Sequence, residues 1–187
     1  MAGGDSEPRI VPIRGGYLKV KADRSNLVKG NLYPVPDPDL PFLGAHLTKD
    51  IDGRLLIGPT AMLVAARDAY RLSKVRPKYL WDTVTWPGTW RMIARHRRAT
   101  IDEIRHSISP KSLIKEPQRL LPGLRFEDVE AGPAGIRAQA QARDGTLFDD
   151  FMIEKIGESI HVRNVPSPAA TSSLALAKLI AKELTPG

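Results

Sequence analysis

The sequence predicts an α+β fold: a mainly antiparallel sheet with flanking helices. Extended runs broken by glycine turns open the chain, two helical stretches follow, extended runs return from about Gly132, and one helix closes it. No G-x-G-x-x-G or Walker loop follows any of the extended runs, so the parallel nucleotide-binding architectures lack their opening motif here. With 187 residues and no internal repeat, the chain is long enough to bury one real core.

Each element has a local reason. Ile10 to Arg14 and Tyr17 to Lys21 are short extended runs, and Gly15-Gly16 between them allows a bulge or a tight turn. Pro12 lacks a donor and assigns the first run to a sheet edge or a strand opening. Between Leu32 and Phe42 the prolines forbid a helix interior, and the apolar content argues for a rigid extended segment laid across the core. Phe42 to Thr48 pairs with Gly53 to Gly58 across Asp52-Gly53, and Gly58-Pro59-Thr60 ends the second strand. Residues 61–70 fit either a helix or an irregular connection.

A helix follows from about Gly88 to Ser107, with Trp90, Ile93, Ala94, Ile101, Ile104 and Ile108 on its inward face. Ser109-Pro110 supplies the cap and first position of the next helix, which Pro117 splits and Pro122-Gly123 closes. From Gly132 the chain passes a glycine-bracketed turn into a strand carrying Arg137, then turns at Asp144-Gly145 and Gly157-Glu158. A last helix runs from roughly Pro168 to Leu184 with Leu174, Leu176, Leu179, Ile180 and Leu184 as its buried stripe.

Composition excludes several functions. The 42% apolar and 26% charged residues are ordinary for a soluble globular protein, and no apolar run nears the ~20 residues of a membrane span. The first ten residues, MAGGDSEPRI, do not resemble a secretory signal. Cysteine is absent, which removes disulfides, thiolate metal sites and cysteine nucleophiles, and makes the cytoplasm the default location.

Much of the formal +7 charge sits in Arg91, Arg95, Arg97, Arg98 and Arg105. Asp102 and Glu103 interrupt that stripe, and no nucleic-acid motif accompanies it, so a solvated or domain-contacting face is expected and no specific nucleic acid. The histidines, His46, His96, His106 and His161, have no metal-binding spacing, and no G-x-S-x-G elbow occurs. His46, in a glycine-flanked strand beside a hairpin, could act as a base, although a lone strand histidine more often has a structural role. Ser167, Thr171, Ser172 and Ser173 crowd the last helix start, either as plain caps or around amides that cradle an electron-rich ligand edge.

Several strings together are distinctive: IVPIRGGY (10–17), LYPVPDPDLPFLGAHLT (32–48), DGRLLIGPTA (52–61), GPAGIRAQAQARDGTLFDDF (132–151) and NVPSPAATSSLA (164–175). They resemble the carboxyl-terminal half of FAD-dependent L-2-hydroxyglutarate oxidases and dehydrogenases, within the D-amino-acid-oxidase-like flavoprotein family. The resemblance implies residues 1–131 as a substrate-binding cap and 132–187 as a segment returning to the FAD domain, with FAD shared with an amino-terminal Rossmann half. The likeness begins almost at Met1, so the expectation is a fragment, a truncated frame or one piece of a split gene, whose activity needs the other half.

Carried onto this chain, the resemblance implies that Arg137 binds the carboxylate of a small dicarboxylic 2-hydroxy acid. Its planar, permanently charged fork suits that partner. Pro168, Ala169, Ala170, Thr171, Ser172 and Ser173 correspond to a turn facing the flavin pyrimidine edge. The implied reaction oxidises L-2-hydroxyglutarate to 2-oxoglutarate, with His46 as the candidate base and Thr48, Thr60 and Tyr17 as hydroxyl donors. Peripheral contact with the inner membrane is compatible with this reading.

Three departures stand out. Arg14-Gly15-Gly16-Tyr17 lacks the carboxylate of R-G-E-Y, Gly58-Pro59-Thr60-Ala61 lacks the carboxamide of G-P-N-A, and Pro117 interrupts a usually smooth helix. Three readings therefore stay open: the cap portion of an FAD-dependent oxidoreductase, a non-catalytic remnant, and a basic binding module.

Overall fold

A computed structural model describes residues 3–35 and 44–184. Its centre is β1 (Arg9–Val20), which pairs along its whole length with the antiparallel β5 (Val129–Gln141), from Arg9 opposite Gln141 to Val20 opposite Val129. The other edge of β1 is shared by β3 (Leu55–Gly58), through Leu18 and Ile57, and by the short β4 (Met62–Leu63), through Ile13 and Leu63. Outside β3 lies β2 (His46–Lys49), giving the order β2-β3-β1 with β5 beyond. The antiparallel α+β architecture is therefore present.

Two strand expectations are corrected. Gly15-Gly16 does not divide β1, which runs on as one strand; the register slips between Gly16 and Leu18, where β5 takes three steps, Ala134 to Ala131, against two on β1, so the bulge is carried by β5. Pro12 is interior, not at an edge, with Ala138 on one side and its carbonyl accepting Val64 N–H at 3.1 Å on the other. Because a strand residue's N and O point the same way, its missing donor falls beyond the short β4 ladder and leaves the β5 ladder complete. Gly132 likewise belongs to β5, not to a turn. A Cβ there would come within 2.7 Å of the Tyr17 carbonyl oxygen, so glycine is what lets the bulged part of β5 lie against β1.

The β2–β3 hairpin turns through Gly53, at φ +77°, while the Asp50 carboxylate accepts the N–H groups of Asp52 at 3.0 Å and Arg54 at 2.8 Å. Leu32 bridges Leu47 by paired backbone bonds of 2.9 Å. The rest of the proline-rich expectation, from Pro36 to Phe42, lies outside the described residues. One sheet face carries Leu18, Val20, Leu47, Leu55 and Ile57 into a core closed by Leu113, Ile114 and Leu124.

The helical region is more broken than the periodicity predicts. Helix α1 (Pro77–Val84) precedes α2 (Pro87–Arg95) and α3 (Arg97–Ile108), and the last two part at His96, where φ is −113° and ψ 38°. Each is held elsewhere: Arg91 Nη1 on α2 donates to the Arg143 carbonyl at 2.8 Å, and Glu103 on α3 accepts Ala61 N–H at 2.6 Å. The predicted inward stripe is mostly outward, with Trp90 57%, Ile101 48% and Ile108 66% exposed. Met92 and Glu103 face the sheet instead.

Helices α4 (Pro110–Leu113) and α5 (Pro117–Leu120) start at their prolines as predicted. A second small sheet, β6 (Met152–Ile156) with β7 (Ser159–Asn164), turns at Gly157 and leads to α6 (Ser173–Leu184). That helix starts later than Pro168, and its stripe is only half covered: Leu176 and Ile180 are half-buried, whereas Leu174 and Leu179 are exposed.

Candidate active site

Strand register places the candidate residues before any side chain is considered. Residues opposite one another share a sheet face, and alternate residues along a strand share it too. Ile13 faces Arg137, Gly15 faces Gly135, and Tyr17, next before Leu18, stands level with Gly58, whose other neighbour is His46. Arg137, Tyr17 and His46 thus come from three strands onto one face. They line a common cleft of about 480 Å³ with Ile13, Pro59 and Ser167.

The cleft has an open floor at Gly135, where an added Cβ would meet nothing within 4 Å. Gly15 beside it is roofed, since a Cβ there would lie 3.0 Å from Pro59 Cβ. The roof is pinned from below, because Thr60 Oγ1 accepts Gly16 N–H at 3.0 Å and Glu103 holds Ala61.

His46 is half-buried, stacked on Tyr33 with ring centroids 4.5 Å apart, and its Nδ1 lies 3.2 Å from the Gly44 carbonyl. A carbonyl only accepts, so Nδ1 carries the hydrogen and Nε2 keeps its lone pair. Burial holds its pKa below the usual histidine value, although the Gly44 carbonyl pulls the other way, and the ring is neutral at neutral pH. Burial and the neighbouring Tyr33 raise the Tyr17 phenol, with Arg137 opposing, so Tyr17 keeps its proton.

Ser167 reaches the cleft through a two-anchor device. Gln139 Nε2 on β5 and Asn164 Nδ2 at the end of β7 both donate to the Phe148 carbonyl, at 2.7 and 3.2 Å, and Asn164 also bonds the Asp150 carbonyl at 2.8 Å. Both amides are buried, so they tie residues 165–167 to the strand that carries Arg137. Beyond Ser167, Thr171 Oγ1 and Ser172 Oγ donate to the Pro168 carbonyl at 2.9 and 3.0 Å. Those hydroxyls are spent on the turn. Among the described residues the exposed amides of Ala170 and Thr171 have no hydrogen-bond partner.

The remaining predicted residues lie off the cleft. Thr60 is buried and borders the neighbouring hollow with Arg14 and Tyr17. Thr48 shares the His46 side of β2 by alternation, and its buried hydroxyl has no partner among the described residues. Pro168 to Ser173 continue the chain from Ser167 without lining the cleft themselves. Gly135, Pro59 and Tyr33 were not singled out as site residues from the sequence, and Ser167 was singled out only at the helix start; the glycine in GPAGIRA was the available signal for the floor. Gly16, where R-G-E-Y has its carboxylate, gives room to Arg14, whose guanidinium lies against the space a side chain would fill and donates to the Tyr70 carbonyl at 2.9 Å.

The chain is 43% identical over 185 residues to the mitochondrial L-2-hydroxyglutarate dehydrogenase of Nematostella vectensis, covering 96% of this chain and 41% of that protein. It is 41% identical over 189 residues to the Bos taurus counterpart, with 98% and 41% covered. The L-2-hydroxyglutarate dehydrogenase of Indibacter alkaliphilus is 42% identical over 168 residues, with 90% and 42% covered. The chain therefore spans about two fifths of the length of these relatives. The model of the FAD dependent oxidoreductase family, DAO, matches residues 1–183, and the chain belongs to that family.

Proposed function

We propose that this chain forms the substrate-covering part of an FAD-dependent oxidoreductase that converts L-2-hydroxyglutarate, or a similar 2-hydroxy acid, to 2-oxoglutarate. Residues 1–131 serve as the cap and 132–187 as the return toward an FAD-binding Rossmann part. The observation that carries this reading is the meeting of Arg137, Tyr17 and His46, from three strands, in one cleft beside Ser167. It is supported by roughly 40% identity to proteins named for that dehydrogenation over nearly all of this chain.

The residues present fit FAD in two respects. The unpartnered, exposed amides of Ala170 and Thr171 are donors for an electron-rich ring edge, with Pro168, Ala169, Ser172 and Ser173 shaping the turn that presents them. The floor at Gly135 leaves space for a flat group over the sheet. FAD, when bound, supplies the hydride acceptor.

The protein's own groups do the rest. Arg137 holds the carboxylate next to the reacting carbon through its planar fork. His46 Nε2 takes the hydroxyl proton, and the Nδ1–H bond to Gly44 steadies the imidazolium that results. Tyr17 offers a protonated phenol. Thr48 has a hydroxyl to give, and Thr60, which accepts from Gly16, still has its own O–H to donate.

Among the described residues no helix is long and apolar enough to cross a membrane. The location we propose is cytoplasmic, on the cysteine-free composition, with peripheral contact at the inner membrane only as the family resemblance implies it.

The test is to purify the chain alone and together with the FAD-binding part of the Nematostella vectensis relative. Flavin absorbance should be retained in the pair and bleached by L-2-hydroxyglutarate. Arg137→Met should abolish bleaching while flavin is kept. A pair that retains flavin yet is bleached by no 2-hydroxy acid refutes the reading.

A further inference from the structure

Next to the cleft lies a second hollow of about 330 Å³, lined by Arg95, His96, Arg137, Thr146, Asp149 and Ser167 among others. Arg137 and Ser167 line both spaces, so the two adjoin at these residues. We propose that Arg95, with His96 beside it, receives the distal carboxylate of a dicarboxylic acid whose proximal carboxylate sits at Arg137. The inference rests on the reading of Arg137 above and specifies what selects a dicarboxylic over a monocarboxylic acid.

Rigidity is the first argument. Gly145 is seated on α2 so closely that a Cβ would fall 2.7 Å from Met92 N and 3.0 Å from the Gly88 carbonyl oxygen. Arg91 adds its bond to the Arg143 carbonyl. The wall bearing Arg95 is thereby fixed to the loop that leaves β5, the strand that bears Arg137.

Charge balance is the second. The lining holds two permanent cations, Arg95 and Arg137, against one carboxylate, Asp149. Asp144 is turned to Thr146, whose backbone N–H, at 2.8 Å, and hydroxyl hold its pKa down, with Arg95 and Arg91 adding to the effect. Arg95 Nη2 donates one long hydrogen bond, 3.5 Å, to the Asp144 carbonyl, which among the described residues leaves most of its donors available. A second carboxylate entering from Arg137 meets those donors, together with a His96 ring N–H. An acid with a methyl end would bury that end among them unpaired, which disfavours it.

The test is an NMR titration of the isolated chain with L-2-hydroxyglutarate and with L-2-hydroxybutyrate, in wild type, R95Q, R95K and R137Q. Wild type should prefer the dicarboxylate by roughly tenfold or more, the scale of one charge-assisted hydrogen-bonded contact. R95Q should erase that preference and leave L-2-hydroxybutyrate binding unchanged, while R95K keeps part of it. R137Q should weaken both acids. An unchanged preference in R95Q overturns the inference and leaves the Arg137 reading standing, and so does equal weakening of both acids in R95Q and R95K, which marks a structural role. Unchanged binding of both acids in R137Q overturns the Arg137 reading, and the absence of binding by either acid to wild type overturns both.

Discussion

Gly15 on β1 and Gly135 on β5 stand directly opposite each other, one place along the cleft face from the Ile13 and Arg137 pair. Two facing positions without side chains, flanked by a guanidinium, make a flat patch in an otherwise ordinary ladder. The open member of the pair, Gly135, should accept a larger residue without loss of fold. Gly135→Val should leave the melting temperature nearly unchanged, within about 0.5 kcal/mol of stability, because valine suits a strand and meets no atom. The same substitution should abolish acid binding, measured by titration, because its methyls fill the floor.

His46 predicts a pH dependence. Its folded-state pKa lies below the ordinary 6.5, so between those two values the unfolded chain binds more protons than the folded one. Its contribution is complete above the unfolded value and is lost as pH falls through the folded value. Denaturant unfolding at pH about 7.5 and about 5 should show wild type losing more stability than His46→Gln. Equal losses would mean that the ring is not held neutral by burial.

Glu103 has the opposite sign. Burial raises its carboxyl, so above the unfolded value the ionised form costs stability as pH climbs through the folded value, even though Ala61 N–H is satisfied. Glu103→Gln keeps an acceptor for Ala61 without the charge and should be at least as stable at neutral pH. Glu103→Leu strands that amide and should cost about 1–3 kcal/mol, read from equilibrium unfolding. It should also loosen the Pro59 roof and weaken acid binding.

Trp86 is 2% exposed, between the guanidinium of Arg9 at 4.6 Å and that of Arg143 at 5.1 Å from its ring. Trp86→Ala should cost about 3–5 kcal/mol, and Arg9→Met about 0.5–1 kcal/mol, both by chemical denaturation. The first removes a large packed volume and the second one face of a cation–π sandwich. A cost for Arg9→Met equal to that of Trp86→Ala would refute this division.

Local chemistry made much of the fold legible. The Asp50-to-Gly53 turn, the proline starts of α4 and α5, the turn at Gly157 and the end of β3 at Gly58-Pro59 all follow from residues that act within a few positions of themselves. The strings around Arg137 and Ser167 pointed to the family for the same reason. Helix faces were less legible, because hydrophobic spacing says that a stripe exists and not that anything covers it: Trp90, Ile101 and Ile108 keep their period and stay exposed.

The sequence by itself determined the residue types at the site: a fork for a carboxylate, an imidazole beside a hairpin, a proline-and-hydroxyl turn and glycines where backbones approach. Tertiary structure decided which of them meet. The register that sets Ile13 opposite Arg137, and Tyr17 level with Gly58 and His46, puts Arg137, Tyr17 and His46 on one face. Register between strands more than a hundred residues apart is settled by the fit of whole ladders and by the core beneath them, not by any residue's own preference.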